Sequence, residues 1–111
     1  EKADFKALNS LPEVSLGYSV SPLQKENGKC FATIEFENLS QSLAFFINPK
    51  ILRSISRDLV LPVFWEDNYF SLMPKEKRKI TVEFENDVLQ GENPVLVIDG
   101  WNIKRAEKEL K

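Results

Sequence analysis

The chain has 111 residues, 42% of them hydrophobic, with 15 basic and 17 acidic side chains and a net charge of −2. That length suits one domain with one apolar core, and the mixed charge leaves no basic footprint for nucleic acid. With no histidine and a single cysteine, Cys30, a Ser-His-Asp triad, an imidazole zinc site and an intrachain disulfide are all excluded. The longest apolar runs, residues 43–47 and 60–65, fall far short of the roughly 20 residues a membrane-spanning helix needs. Glu1-Lys2-Ala3-Asp4-Phe5 holds neither an initiator methionine nor an apolar signal core, as in an excised domain or a mature chain.

Residues 14–20 alternate, with Val14, Leu16, Tyr18 and Val20 on one side, the pattern of a half-buried strand. Asn27-Gly28 follows, a hairpin signal because both residues tolerate positive φ. The next strand turns Cys30, Ala32, Ile34 and Phe36 inward and Phe31, Thr33, Glu35 and Glu37 outward. Residues 43–47 are apolar on both faces, as in a central or covered strand. The link 49–58, with Ile51, Leu52 and Ile55 at helical offsets, reads either as a helical turn or as a strand extension. Residues 60–65 form a sixth strand candidate that Pro62 confines to an edge or a bulge. Residues 69–72 form a seventh, followed by a turn at Pro74-Lys75-Glu76. The strand 80–85 is the clearest, with Ile80, Val82 and Phe84 inward against Thr81, Glu83 and Glu85. Residues 95–98 are apolar on both faces, and a frayed helix is one reading of the charged tail 104–111, whose conformation the sequence leaves open. Short strands punctuated by turns predict an antiparallel β-sandwich, with Phe36, Val82 and Phe84 in its core.

Carboxylates are the only residues with catalytic potential. Glu83 and Glu85 share a strand face about 7 Å apart, a spacing that overlaps a glycosidase pair. A solvated sheet face is the simpler reading for them and for Glu35 and Glu37. Glu66 and Asp67 are adjacent and point opposite ways in an extended segment. The basic run 75–79 reads as a solvated turn, the four glycines stand singly, and Asp67-Asn68 offers too few oxygens for calcium. No catalytic residue, metal site or cofactor is expected.

The distinctive stretch is Phe64-Trp65-Glu66-Asp67-Asn68-Tyr69-Phe70. Alternation cannot bury all of its rings in one small core. With Phe64 and Phe70 inward, Trp65 and Tyr69 remain near the surface, and Asp67 and Asn68 fall at a turn where their side chains satisfy backbone donors. Trp101 in Gly100-Trp101-Asn102 is the second tryptophan. Such rings pack in a core, dock on another protein surface, or stack on sugars. The candidate binding or interdomain residues are therefore Trp65, Asp67, Asn68, Tyr69 and Trp101.

The string 61–74, Leu-Pro-Val-Phe-Trp-Glu-Asp-Asn-Tyr-Phe-Ser-Leu-Met-Pro, and the closing 94–102, Pro-Val-Leu-Val-Ile-Asp-Gly-Trp-Asn, resemble the immunoglobulin-like domain that closes certain family 2 glycoside hydrolases. These are enzymes of the exo-β-glucosaminidase and β-mannosidase type. The resemblance covers most of residues 13–103 in layout. It departs at Lys75, where a glycine would be usual, and does not extend to 49–58. It implies an all-β, immunoglobulin-like antiparallel sandwich of about seven strands over 1–111, with its core at about 4–103. Catalysis in that family belongs to two glutamates of a separate β/α-barrel, which takes about 250 residues, so no catalytic residue is carried to this chain. The implied role is an accessory domain of a secreted or periplasmic multidomain enzyme, partnered by that enzyme's other domains and by neither nucleic acid nor membrane. The alternative is a carbohydrate-binding module that uses exposed Trp and Tyr as stacking platforms.

Overall fold

The computed structural model describes residues 10–67 and 69–111; Asn68 and the first residues of the expected core lie outside them. Ten strands follow in order: β1 (Gly17–Val20), β2 (Gln24–Glu26), β3 (Lys29–Glu37), β4 (Ala44–Ile47), β5 (Lys50–Arg53), β6 (Phe64–Trp65), β7 (Phe70–Leu72), β8 (Lys77–Glu85), β9 (Pro94–Ile98) and β10 (Ala106–Glu109). A large sheet runs β1-β3-β8-β6 with β2 also paired to β3, a second runs β10-β9-β5, and β4 pairs with β7. Every one of these pairings is antiparallel. The fold is the expected immunoglobulin-like sandwich. The strand count rises above about seven because β2, β5 and β10 form where turns, an uncertain link and a tail were expected.

β3 and β8 are the backbone of the large sheet, in register from Lys29↔Glu85 to Glu37↔Lys77. The period of two then decides both faces. Cys30, Ala32, Ile34 and Phe36 of β3 and Ile80, Val82 and Phe84 of β8 are all buried. They pack into one cluster with Ala44, Ile47, Ile51, Leu72, Leu96 and Ile98 from the opposing layer. On the outer face, Glu37↔Lys77 and Glu35↔Lys79 are cross-strand partners, which places opposite charges side by side. The hairpin joining β2 to β3 turns at Asn27 (φ 53°) and Gly28 (φ 78°), the two positive-φ positions of a type I′ turn.

Three expectations need correction. The tail is not a helix: β10 pairs along β9, and Leu110 is buried behind it. Its residues are good helix formers, yet β9 presents backbone groups that need a partner, and the N–H of Leu110 donates to Pro94 O at 2.9 Å. Next, residues 43–47 are not covered on both faces. Among the described residues β4 pairs with the short β7 alone, the register shifts between Ala44 and Ile47, and Phe46 adopts φ 58° with its side chain 48% exposed. Finally, Phe64 points outward and is 62% exposed, whereas Trp65 packs partly buried against the core. β6 is only two residues long, and it sets Trp65 opposite inward Val82 and Phe64 opposite outward Glu83.

Two buried asparagines tie the loops to the sheets. Asn102 Oδ1 accepts the N–H of Phe45 at 2.8 Å, while Nδ2 donates to Leu43 O at 2.7 Å and Pro12 O at 2.9 Å. Asn38 Nδ2 donates to Ser42 O at 2.7 Å and Leu72 O at 3.0 Å, and its Oδ1 accepts the N–H and hydroxyl of Ser40. The neighbouring turn 73–76 closes with Glu76 N–H donating to Met73 O at 3.0 Å. Lys75 sits third in that turn at φ 69°, the position of a type II turn that favours glycine. Lys75 thus carries a side chain in a conformation that glycine adopts more readily.

Phe84→Ala is expected to cost about 3–5 kcal/mol by leaving a cavity, read from denaturant unfolding; an unchanged midpoint would show the face assignment to be wrong. Asn102→Ala should cost about 3 kcal/mol, because one N–H and two carbonyls lose their partner at once. Lys75→Gly should move the other way. Relief of about 1–2 kcal/mol of left-handed strain exceeds the entropic penalty of glycine, about 0.5–1 kcal/mol, so the thermal midpoint should rise.

Candidate interaction surface

The segment Gly100-Trp101-Asn102 lies against β4. A Cβ on Gly100 would stand 2.5 Å from Ile103 Cγ1 and 2.9 Å from Phe46 O, so only glycine allows this approach. The N–H of Trp101 donates to Phe45 O at 3.1 Å and that of Asn48 to Asp99 O at 2.8 Å. With the Asn102 carboxamide beneath, the end of β4 is strapped to residues 99–102 over its whole length.

That strap lines up four rings. Trp101 meets Phe45 edge-on with centroids 6.5 Å apart at 79°. Phe45 lies 5.9 Å from Phe46, and Phe46 lies 5.0 Å from Tyr69 at 31°. Phe46, Tyr69 and Trp101 are each about half exposed, at 48%, 54% and 51%. The N–H of Phe46 donates to Ser71 Oγ at 2.9 Å, which holds the bulge that turns this ring outward. A hollow of about 260 Å³ between Phe46, Asn48, Asp99 and Trp101 adjoins the ridge. Another of about 250 Å³, lined by Asn48, Leu59, Leu61, Trp65 and Tyr69 among others, adjoins it at Tyr69.

Of the residues singled out from sequence, the ridge brings together Tyr69 and Trp101, and Trp65 lines the adjoining hollow. Asp67 lies apart from them. Its carboxylate pairs with Arg78 at 2.7 Å, and the same guanidinium lies 5.2 Å above the Phe70 ring. Phe45 and Phe46, which join the two candidate rings, were not singled out. The sequence shows them only as part of the apolar run 43–47, and nothing in that run marks one of the two rings for the surface.

The carboxylates are engaged structurally. Glu83 pairs with Lys29 at 3.3 Å. A cleft of about 570 Å³ beside the C-terminal strand includes Glu92 and Glu109. Glu92 Oε1 accepts the N–H groups of Ile55 and Ser56, both at 2.8 Å; the bond from Ser56 above all holds this carboxyl below its ordinary range. Glu109 accepts the amide of Asn93 at 2.9 Å. Among the described residues no three His, Cys, Asp or Glu side chains converge as a metal site. Burial raises the Cys30 thiol above its usual range, which makes it a poor nucleophile. No helix among the described residues is long and apolar enough to cross a membrane.

Comparison with known proteins follows the same outline. Residues 1–103 match the family described as the exo-beta-D-glucosaminidase Ig-fold domain. The chain is 32% identical over 102 residues to the exo-beta-D-glucosaminidase of Amycolatopsis orientalis, covering 90% of this chain and 10% of that protein. It is 33% identical over 76 residues to the mannosylglycoprotein endo-beta-mannosidase of Lilium longiflorum, covering 62% of this chain and 8% of that one. The crystal structure of the Amycolatopsis orientalis exo-chitosanase CsxA superposes with a TM-score of 0.85 at 30% identity, over 96% of this chain and 13% of the other. The chain spans about a tenth of the length of the curated relatives it matches. It belongs to the immunoglobulin-fold domain family of the exo-β-D-glucosaminidases.

Proposed function

We propose that this chain is an accessory module of a multidomain, secreted or periplasmic family 2 glycoside hydrolase acting on β-linked glucosaminides or mannosides. Its role is to pack against the rest of that enzyme through the ridge formed by Trp101, Phe45, Phe46 and Tyr69. The observation that carries this reading is Phe46. A bulky residue at φ 58° costs about 1–2 kcal/mol, and here the strained backbone serves to put an aromatic ring into solvent. A fold gains nothing from that arrangement alone, whereas an interface with a sister domain recovers it by burying a ring whose orientation is already set. Relatives about ten times longer than this chain leave ample protein for such a surface. Sugar stacking by Trp65, Tyr69 and Trp101 is the rival reading; Tyr69 and Trp101 have the exposure for it, and Trp65 lacks it.

Tyr69→Ser combined with Trp101→Ser should leave the melting point of the isolated chain within a few degrees of its parent value, since both side chains lie outside the core. In the complete enzyme the same pair should lower the melting point and release the domain to limited proteolysis. Equal protease resistance with and without the substitutions would reject docking through the ridge. Quenching of tryptophan fluorescence by manno-oligosaccharides, lost in Trp101→Ala, would replace docking by sugar binding. The isolated chain should turn over neither aryl β-glucosaminide nor aryl β-mannoside.

A further inference from the structure

The outer face of the large sheet carries a second aromatic arrangement that shares no residue with the ridge. Its register is continuous across four strands: Phe64 of β6 faces Glu83 of β8, Glu83 faces Phe31 of β3, and Phe31 faces Gln24 of β2. Directly opposed residues in a sheet project to the same side. The row therefore reads ring, carboxylate, ring, amide. Phe64 is 62% exposed and Phe31 half-buried. The next row contributes the opposed hydroxyls Thr81 and Thr33, and a groove of about 300 Å³ runs over Gln24, Phe31, Thr33, Thr81 and Glu83.

We propose that this face binds an oligomer of β-linked glucosamine, the two phenyl rings lying under alternate sugars and Glu83 receiving an ammonium group between them. Three features select that occupant. Phe64 and Phe31 are two strands apart, about 10 Å from the strand spacing, which matches the repeat of two sugars in an extended β-linked chain. Flat apolar sugar faces stack on such rings, while Thr33, Thr81 and Gln24 supply neutral hydrogen-bonding partners for hydroxyls. Charge then separates amino sugars from neutral ones. Among the described residues Glu83 pairs with Lys29, at 3.3 Å with both side chains well exposed, a pairing weak enough for another ammonium to displace. The choice of glucosamine rests on the glucosaminidase reading of the parent enzyme; the geometry of the face does not.

The test is a titration of the 111-residue chain with glucosamine hexamer, followed by amide chemical shifts, with cellohexaose as the uncharged control. Shifts should map to Phe31, Thr33, Phe64, Thr81 and Glu83, and affinity should fall at least tenfold in Glu83→Gln, in Phe64→Ala and at high salt. Lys29→Ala should act oppositely and tighten binding, because it removes the competing cation. Neither Glu83→Gln nor Phe64→Ala alters the core, and retention of the thermal midpoint checks this. Absence of shifts, equal affinity for cellohexaose, shifts centred on Tyr69 and Trp101, or indifference to Glu83→Gln would each overturn the proposal. Hydrolysis of an aryl β-glucosaminide by the complete enzyme, measured alongside, tests the parent's activity separately, so failure of one reading is distinguishable from failure of the other.

Discussion

The carboxamide of Asn102 is the constraint on which this end of the molecule depends. It joins the lead-in to β1 at Pro12, the entry to β4 at Leu43 and the bulge at Phe45. These are segments with no common sheet, so side-chain hydrogen bonds do the work that ladder bonds do elsewhere. A buried amide of this kind is stable only when every donor and acceptor is matched, and that requirement fixes where β4 sits. Gly100 follows from it, since the backbone before Asn102 passes too close to Phe46 for any side chain. Trp101 then has one direction left, outward along β4. The Gly-Trp-Asn string is a single device in which one residue anchors, one clears space and one displays a ring.

A different logic governs the large sheet. β3 and β8 pair over their full lengths, so the hydrophobic demand of the inner face dictates which residues face out. Once Ala32 and Val82 are inside, Phe31 and Glu83 have no freedom to be elsewhere. The face from which the outer row projects is therefore set by the core, although little of the row's own packing holds it. Two surfaces on one small domain are thus ordered by two means: hydrogen bonding from beneath for the ridge, and register for the sheet face.

Strands whose period of two was unbroken were legible from sequence. Cys30 to Phe36 and Ile80 to Phe84 turn the expected residues inward because each is paired along its length. Legibility failed where pairing ran out. The two-residue β6 follows its partner Val82 and not its own flanking pattern, and so exchanges Phe64 for Trp65. β4 looked like a covered strand since nothing in residues 43–47 discloses a missing neighbour. The tail misled because Ala, Glu, Lys and Leu favour helices in isolation, while the open edge of β9 belongs to the tertiary structure alone. Tyr69 and Trp101 were visible as rings, but their link through Phe45 and Phe46 depends on a bulge that no local pattern announces.

The last strand carries a further consequence. β9 is buried at all five positions from Pro94 to Ile98, an unbroken apolar run between β5 and β10. β10 is Ala-Glu-Lys-Glu, three of its four residues exposed, and Arg57 reaches across to Glu107 at 2.6 Å. Stripped of β10, the same five residues would form a bare hydrophobic edge with β-branched side chains and no charge, the composition that recruits other chains into aggregates. The charged tail is in this sense a gatekeeper. It hands the sheet an outermost strand that discourages further growth, and so keeps the domain's self-association in check while its two aromatic faces stay open.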